Sequence, residues 1–254
     1  MTIPNNPIVN SGLLYINGLQ ISDTTDSSTL TKKLFLMPGM ARNSTNIADI
    51  TLSSTITMDG EQVGANGTDA NPLIASTFYA VYVIGDSTGY KPTGGIFSLS
   101  PNAPAIPAGY DMFRRIGWIL TDSSANILPF WQYGNAQDRT YYYDNGINAL
   151  VGGVSTTFVP VNLSPSVPPI STEVLFQVAY TASVATHIAK FITFGSGSPS
   201  SLISTFGYGV AAIQNGMLTV PAQLQSAGVN PSILYKVEAG DALTLITSGY
   251  KDYL

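Results

Sequence analysis

The chain has 254 residues, 10% charged and 44% hydrophobic, with a formal net charge of -5 and no cysteine. Ten lysines and arginines in all are too few for a phosphate-binding surface, which argues against a nucleic-acid partner. Without cysteine there is no disulfide framework and no thiolate zinc site. This length can bury one continuous apolar core in one large domain or two smaller ones.

The opening MTIPNNPIVNSG has no basic n-region and no apolar h-region, so no signal peptide is expected. No apolar run reaches the ~18 residues of a membrane helix, so no membrane insertion is expected. Residues 12 to 22, GLLYINGLQIS, predict a hairpin, because Asn17-Gly18 tolerates the positive φ of a two-residue turn. Further Asn-Gly pairs begin at 66, 145 and 215. KLFLM (33 to 37), IADITL (47 to 52) and TITM (55 to 58) predict short strands, followed by a polar loop over 59 to 72. STFYAVYVIG (76 to 85) has the continuous apolar character of a central strand covered on both faces.

Three prolines between 100 and 109 favour an extended surface connection. The next stretch, MFRRIGWIL, alternates so that Arg114, Ile116, Trp118 and Leu120 share one face and Phe113, Arg115, Gly117 and Ile119 the other. Pro129 places the strand at 127 to 134 on an edge or bulge. RTYYYDNG (139 to 146) closes a first half, and a Gly- and Pro-punctuated passage from 149 marks a boundary, giving expected domains 1-148 and 149-254. In the second half TEVLFQVAY alternates with Val174, Phe176, Val178 and Tyr180 inward, and SILYKV-EAGD-ALTLITSGY predicts a closing hairpin. The expected fold is all-β, an antiparallel, jelly-roll-like sandwich, with two sandwich regions in tandem.

Catalytic constellations find little support. Gly85-Asp86-Ser87-Thr88-Gly89 fits G-x-S-x-G, but YKPTGG follows where a nucleophile elbow needs a helix, so a turn between strands is expected. His187 is the only histidine and stands at the start of a strand, where a structural role is the ordinary one. Most acidic residues sit in turns, which leaves no paired carboxylates for glycoside hydrolysis. Asp59, Glu61 and Asp69 offer hard oxygen ligands without EF-hand spacing, so no metal and no cofactor is expected. Trp131, Tyr133, Tyr141, Tyr142 and Tyr143 could bury in the core, pack on a neighbouring chain or form a sugar platform. Arg114 and Arg115 are expected at the strand's rim, binding carbonyls or carboxylates of loops or of an adjacent subunit.

PAGYDMFRRIGWILTDSSANILPFWQ (107 to 132), FYAVYVIGDSTGYKPTGGIFSLS (78 to 100), GLLYINGLQIS and YKVEAGDALTLITSGYKDYL together resemble structural proteins of tailed-bacteriophage virions, of the tail-fibre, appendage and accessory type. The resemblance implies a non-enzymatic, β-rich, oligomeric virion component, with a trimer expected by analogy with fibre-like parts. Its implied partners are copies of itself, other virion proteins and, in the alternative reading, a host-surface glycan. The chain's length favours a compact tail, collar or capsid-decoration component over a long fibre. Arg114, Arg115, Trp131, Tyr133, Tyr141 and Tyr143 are the expected assembly contacts.

Overall fold

The computed structural model describes residues 15–23, 31–134, 136–192, 203–207, 209–221, 223–225 and 229–254, and among them there are strands and no helix. The N-terminal half opens with Ile16–Gly18 (β1), Ile21–Asp23 (β2), Lys33–Leu36 (β3), Gly39–Arg42 (β4), Asp49–Leu52 (β5) and Ile56–Asp59 (β6). Gly67–Thr68 (β7), Phe78–Gly85 (β8), Gly94–Ser98 (β9) and Met112–Leu120 (β10) follow. Then come Phe130–Tyr133 (β11), Asp138–Gly153 (β12), Val159–Asn162 (β13), Glu173–Thr181 (β14), Ala189–Ile192 (β15), Ile203–Phe206 (β16), Ile213–Pro221 (β17), Gln223–Gln225 (β18), Val229–Lys236 (β19) and Ala242–Tyr253 (β20). They form sheets ordered β1-β4-β5, β2-β3-β6, β10-β8-β9-β7, β11-β12-β20-β14-β17 and β13-β19-β15-β16, with β18 beside β19. Strand pairs are antiparallel except β7 with β9. The fold is an all-β, sandwich-like stack of sheets, as its alternation and turn spacing predict.

The expected hairpin over 12 to 22 is corrected; its residues 12 to 14 lie outside the described residues. β1 and β2 do not pair with each other: Ile16 faces Ala41 and Ile21 faces Leu36, so they form one interrupted strand against β3 and β4. Positive φ at Gly18 and Leu19 bends this ribbon instead of reversing it. Gly18 faces Gly39 across the bend, where a Cβ on Gly39 would stand 2.2 Å from the Leu19 nitrogen. Only glycine permits the two backbones that close approach. Asn145-Gly146 and Asn215-Gly216 likewise run inside β12 and β17. Tolerance of positive φ permits a turn, but neighbouring strands decide whether one forms.

The closing hairpin is corrected too. β19 pairs with β13, β15 and β18, whereas β20 lies between β12 and β14 in a different sheet. The 238 to 241 connection therefore crosses between sheets, and Asp241 holds it in place, as described below. Position 148/149 falls inside β12, and the five-stranded sheet draws strands from both sides of it.

Burial follows the expected patterns in the long strands. Seven of the eight residues of β8 are buried between β10 and β9. In β14, Val174, Phe176, Val178 and Tyr180 are all buried. One contiguous core joins Leu34, Phe97, Trp118, Tyr141, Phe176 and Tyr250 across both halves of the sequence. β11 lies at the edge of its sheet, as Pro129 requires.

Candidate functional site

Three arginines and one carboxylate gather where β10, β12 and β20 meet. Arg114 and Arg115 stand opposite Val83 and Tyr82 of β8, and a bulge between Arg115 and Gly117 leaves Ile116 unpaired. That extra residue resets the alternation, which corrects the simple period-two assignment beyond Arg115. Arg115 thereby comes over the Trp118 ring, 5.5 Å from its centroid. Its guanidinium forms an ion pair with Asp252 and approaches the Tyr253 carbonyl at 3.4 Å. The Asp252 side chain is fully buried. Burial pushes its carboxyl above the usual range, and Arg115 and then Arg139 pull against that. Its Oδ1 has no hydrogen-bond partner among the described residues. Arg115 thus binds a carboxylate of its own chain.

Arg139 is the residue that sequence reasoning passed over. It is fully buried, and it donates to the carbonyls of Gly18 (2.6 Å), Leu19 (2.8 Å), Ile116 (2.9 Å) and Ala136 (3.0 Å). One side chain therefore satisfies the carbonyls exposed by the ribbon's bend and by the β10 bulge. Alternation puts Arg139 on the same face of β12 as Tyr141, but the sequence does not say which face turns inward.

The aromatic run divides by face. Tyr141 is 1% exposed, stacks on Tyr250 with centroids 4.7 Å apart, and accepts a hydrogen bond from Gln132 Nε2 at 2.7 Å. The expected partner contact at Tyr141 is corrected, because its ring and hydroxyl are consumed inside the chain. Tyr143 donates to the Ser166 carbonyl at 2.9 Å, and burial pushes its hydroxyl's pKa well above the usual value. Trp131 and Tyr133 point outward, 63% and 58% exposed. Tyr142 faces Trp131 across the strands and meets Tyr133 edge-on at 5.7 Å. Trp131 and Tyr133, with half-buried Tyr142 beside them, make an aromatic surface on the outer face of the sheet.

The remaining candidate groups are tied into local structure. Asp86 accepts from the Thr88 amide and hydroxyl and from the Lys91 amide, and Ser87 bonds Asp111 through both its amide and its hydroxyl. His187 Nδ1 lies 3.1 Å from each oxygen of Asp241, which also accepts from Tyr180 and from the amide and hydroxyl of Ser183. Burial raises the Asp241 carboxyl's pKa, but these donors outweigh it and hold the value at about 2. Ser87 and His187 are thus committed to different carboxylates. Asp59 and Glu61 pair with Lys33 and Lys32, while Asp69 accepts from the Ala105 amide. Among the described residues no three metal-ligating side chains converge.

No family model matches the chain, and no curated protein matches it.

Proposed function

We propose that the chain is a non-enzymatic structural component of a tailed-phage virion that acts through contacts with copies of itself and with other particle proteins. The observation that carries this reading is the exposed pair Trp131 and Tyr133, backed by half-buried Tyr142, on a sheet whose inner face is closed by core packing. Large aromatic side chains left in water gain most by being covered, and interface cores are enriched in them and poor in charge. The chain's 10% charged residues suit such covering. The resemblance of residues 78 to 100 and 107 to 132 to virion proteins supports a place on the particle, in a tail, collar or decoration position.

Incorporation tests this directly. A Trp131→Ser, Tyr133→Ser variant expressed in place of the wild-type chain should be depleted from purified particles while remaining folded. Undiminished incorporation would contradict the proposal.

A further inference from the structure

β17 forms one margin of the five-stranded sheet, and β14 is its one pairing partner among the described residues. The Ala182 amide donates to the Ala212 carbonyl, and the pairing runs on from Thr181 with Ile213 to Glu173 with Pro221 without a register shift. Ladder alternation from that bond turns the backbone N–H and C=O groups of Ile213, Asn215, Met217 and Thr219 away from β14. Pro221 falls in the same set, where it removes no bond to β14. Sheet margins are ordinarily blunted by charged side chains, bulges, shortness or a covering element. β17 has nine residues, IQNGMLTVP, with no charge among them. Its Ile213 and Met217 side chains are 68% and 61% exposed. The opposite margin is closed, because the Phe130 amide of β11 donates to Asp23 and the Gly134 carbonyl just beyond it accepts from the Gln20 side chain.

We propose that β17 pairs antiparallel with β17 of a second copy of the chain, joining two five-stranded sheets into one. With one margin open and the other closed, a second copy meets this sheet through the same strand, and a two-fold axis normal to the sheet sets the two strands antiparallel. Centring that axis on Met217 places Ile213 opposite Pro221, Asn215 opposite Thr219 and Met217 opposite its own equivalent. Each outward N–H then meets an outward carbonyl, as the hydrogen-bonded pairs of an antiparallel ladder require. No like charges face each other, and the two Met217 side chains cover one another. This self-complementary register singles out a second copy over an unrelated extended peptide. Trp131 and Tyr133 stand on or beside the far margin and are left uncovered, so the inference is independent of the aromatic contact.

Two such strands bury less than the roughly 1,200 Å² of a stable complex, so the contact is weak in solution and takes hold where copies are already held close. The test is sedimentation equilibrium of the full chain carrying Trp131→Ser and Tyr133→Ser, which removes the aromatic contact. This chain should be monomeric at about 10 µM and pass reversibly into a dimer towards about 1 mM. Adding Met217→Lys opposes two charges on the axis and should weaken the dimer by about fivefold or more. Met217 is exposed, so this variant should melt as its parent does, and lost pairing is not lost folding. In the same background Met217→Cys introduces a single thiol into a cysteine-free chain. Mild oxidation should link it across the axis, where facing Cα atoms stand about 5.5 Å apart. Val151→Cys, at a position 70% exposed on β12, should link far more slowly. The proposal is overturned if no dimer forms, if Met217→Lys pairs like its parent, or if the two cysteine variants link alike.

Discussion

At the scale of single residues, the stability of this chain depends on a few buried polar groups. Arg139→Met keeps the bulk but strips donors from the carbonyls of Gly18, Leu19 and Ile116, each worth about 1–3 kcal/mol when left unpaired in the interior. Chemical denaturation should show a loss of at least about 3 kcal/mol; a loss under 1 kcal/mol would mean that those carbonyls find other partners. Trp118 makes the opposite case, since its buried indole N–H has no acceptor among the described residues. Trp118→Phe should therefore cost little beyond lost contact area, and a large drop in melting temperature would reveal a partner for that N–H.

Acid sensitivity also resolves to single carboxylates. Asp241, held at about 2 in the folded chain, is stabilised relative to an unfolded carboxyl near pKa 4. That contribution, about 2 kcal/mol, is complete above pH 4 and lost as the pH falls towards 2. Asp252 acts in the reverse sense: its pKa is raised on folding, so its protonation as the pH falls favours the fold. Unfolding free energies across pH 4 to 2 should fall less steeply in Asp241→Asn than in wild type. Parallel slopes would remove Asp241 from the acid response. Of these residues, alternation placed Arg139 on one face with Tyr141, but which face is buried came from the neighbouring strands. Nothing local marks Asp241 or Asp252 as buried, since each finds its partners more than 50 residues away.

At the scale of elements, apolar runs were legible and their pairing was not. β8 and β14 follow from composition and alternation, because a strand's burial pattern is written in its own residues. The bend at Gly18 and the separation of β19 from β20 follow from neighbours distant in sequence. A turn-prone dipeptide specifies allowed φ values, not which strand will lie alongside. The β10 bulge is of the same kind: it places Arg115 over Trp118 through an extra residue that no periodicity announces. Gly39→Ala tests the bend, since the added methyl meets Leu19 backbone at 2.2 Å. Relief requires the ribbon to open, and a loss of about 1–3 kcal/mol is expected. A neutral substitution would show that the two strands do not approach as described.

At the scale of the whole molecule, β20 unites the chain by lying between β12 and β14, so strands from both sides of residue 148 share one sheet. A Gly- and Pro-rich passage marks a change of texture in the sequence, but sheet membership is set by pairing across it. The networks around Asp252 and Asp241 are internal to the chain, whereas Trp131 and Tyr133 leave large aromatic area on the outer face uncovered. Light scattering coupled to size exclusion, on the purified 26.8 kDa chain at micromolar concentration, tests this most directly. Wild type should elute as a discrete oligomer, a trimer by expectation, and Trp131→Ser, Tyr133→Ser as a folded monomer. A monomeric wild type, or a double variant that assembles undiminished, would contradict the assembly role of that face.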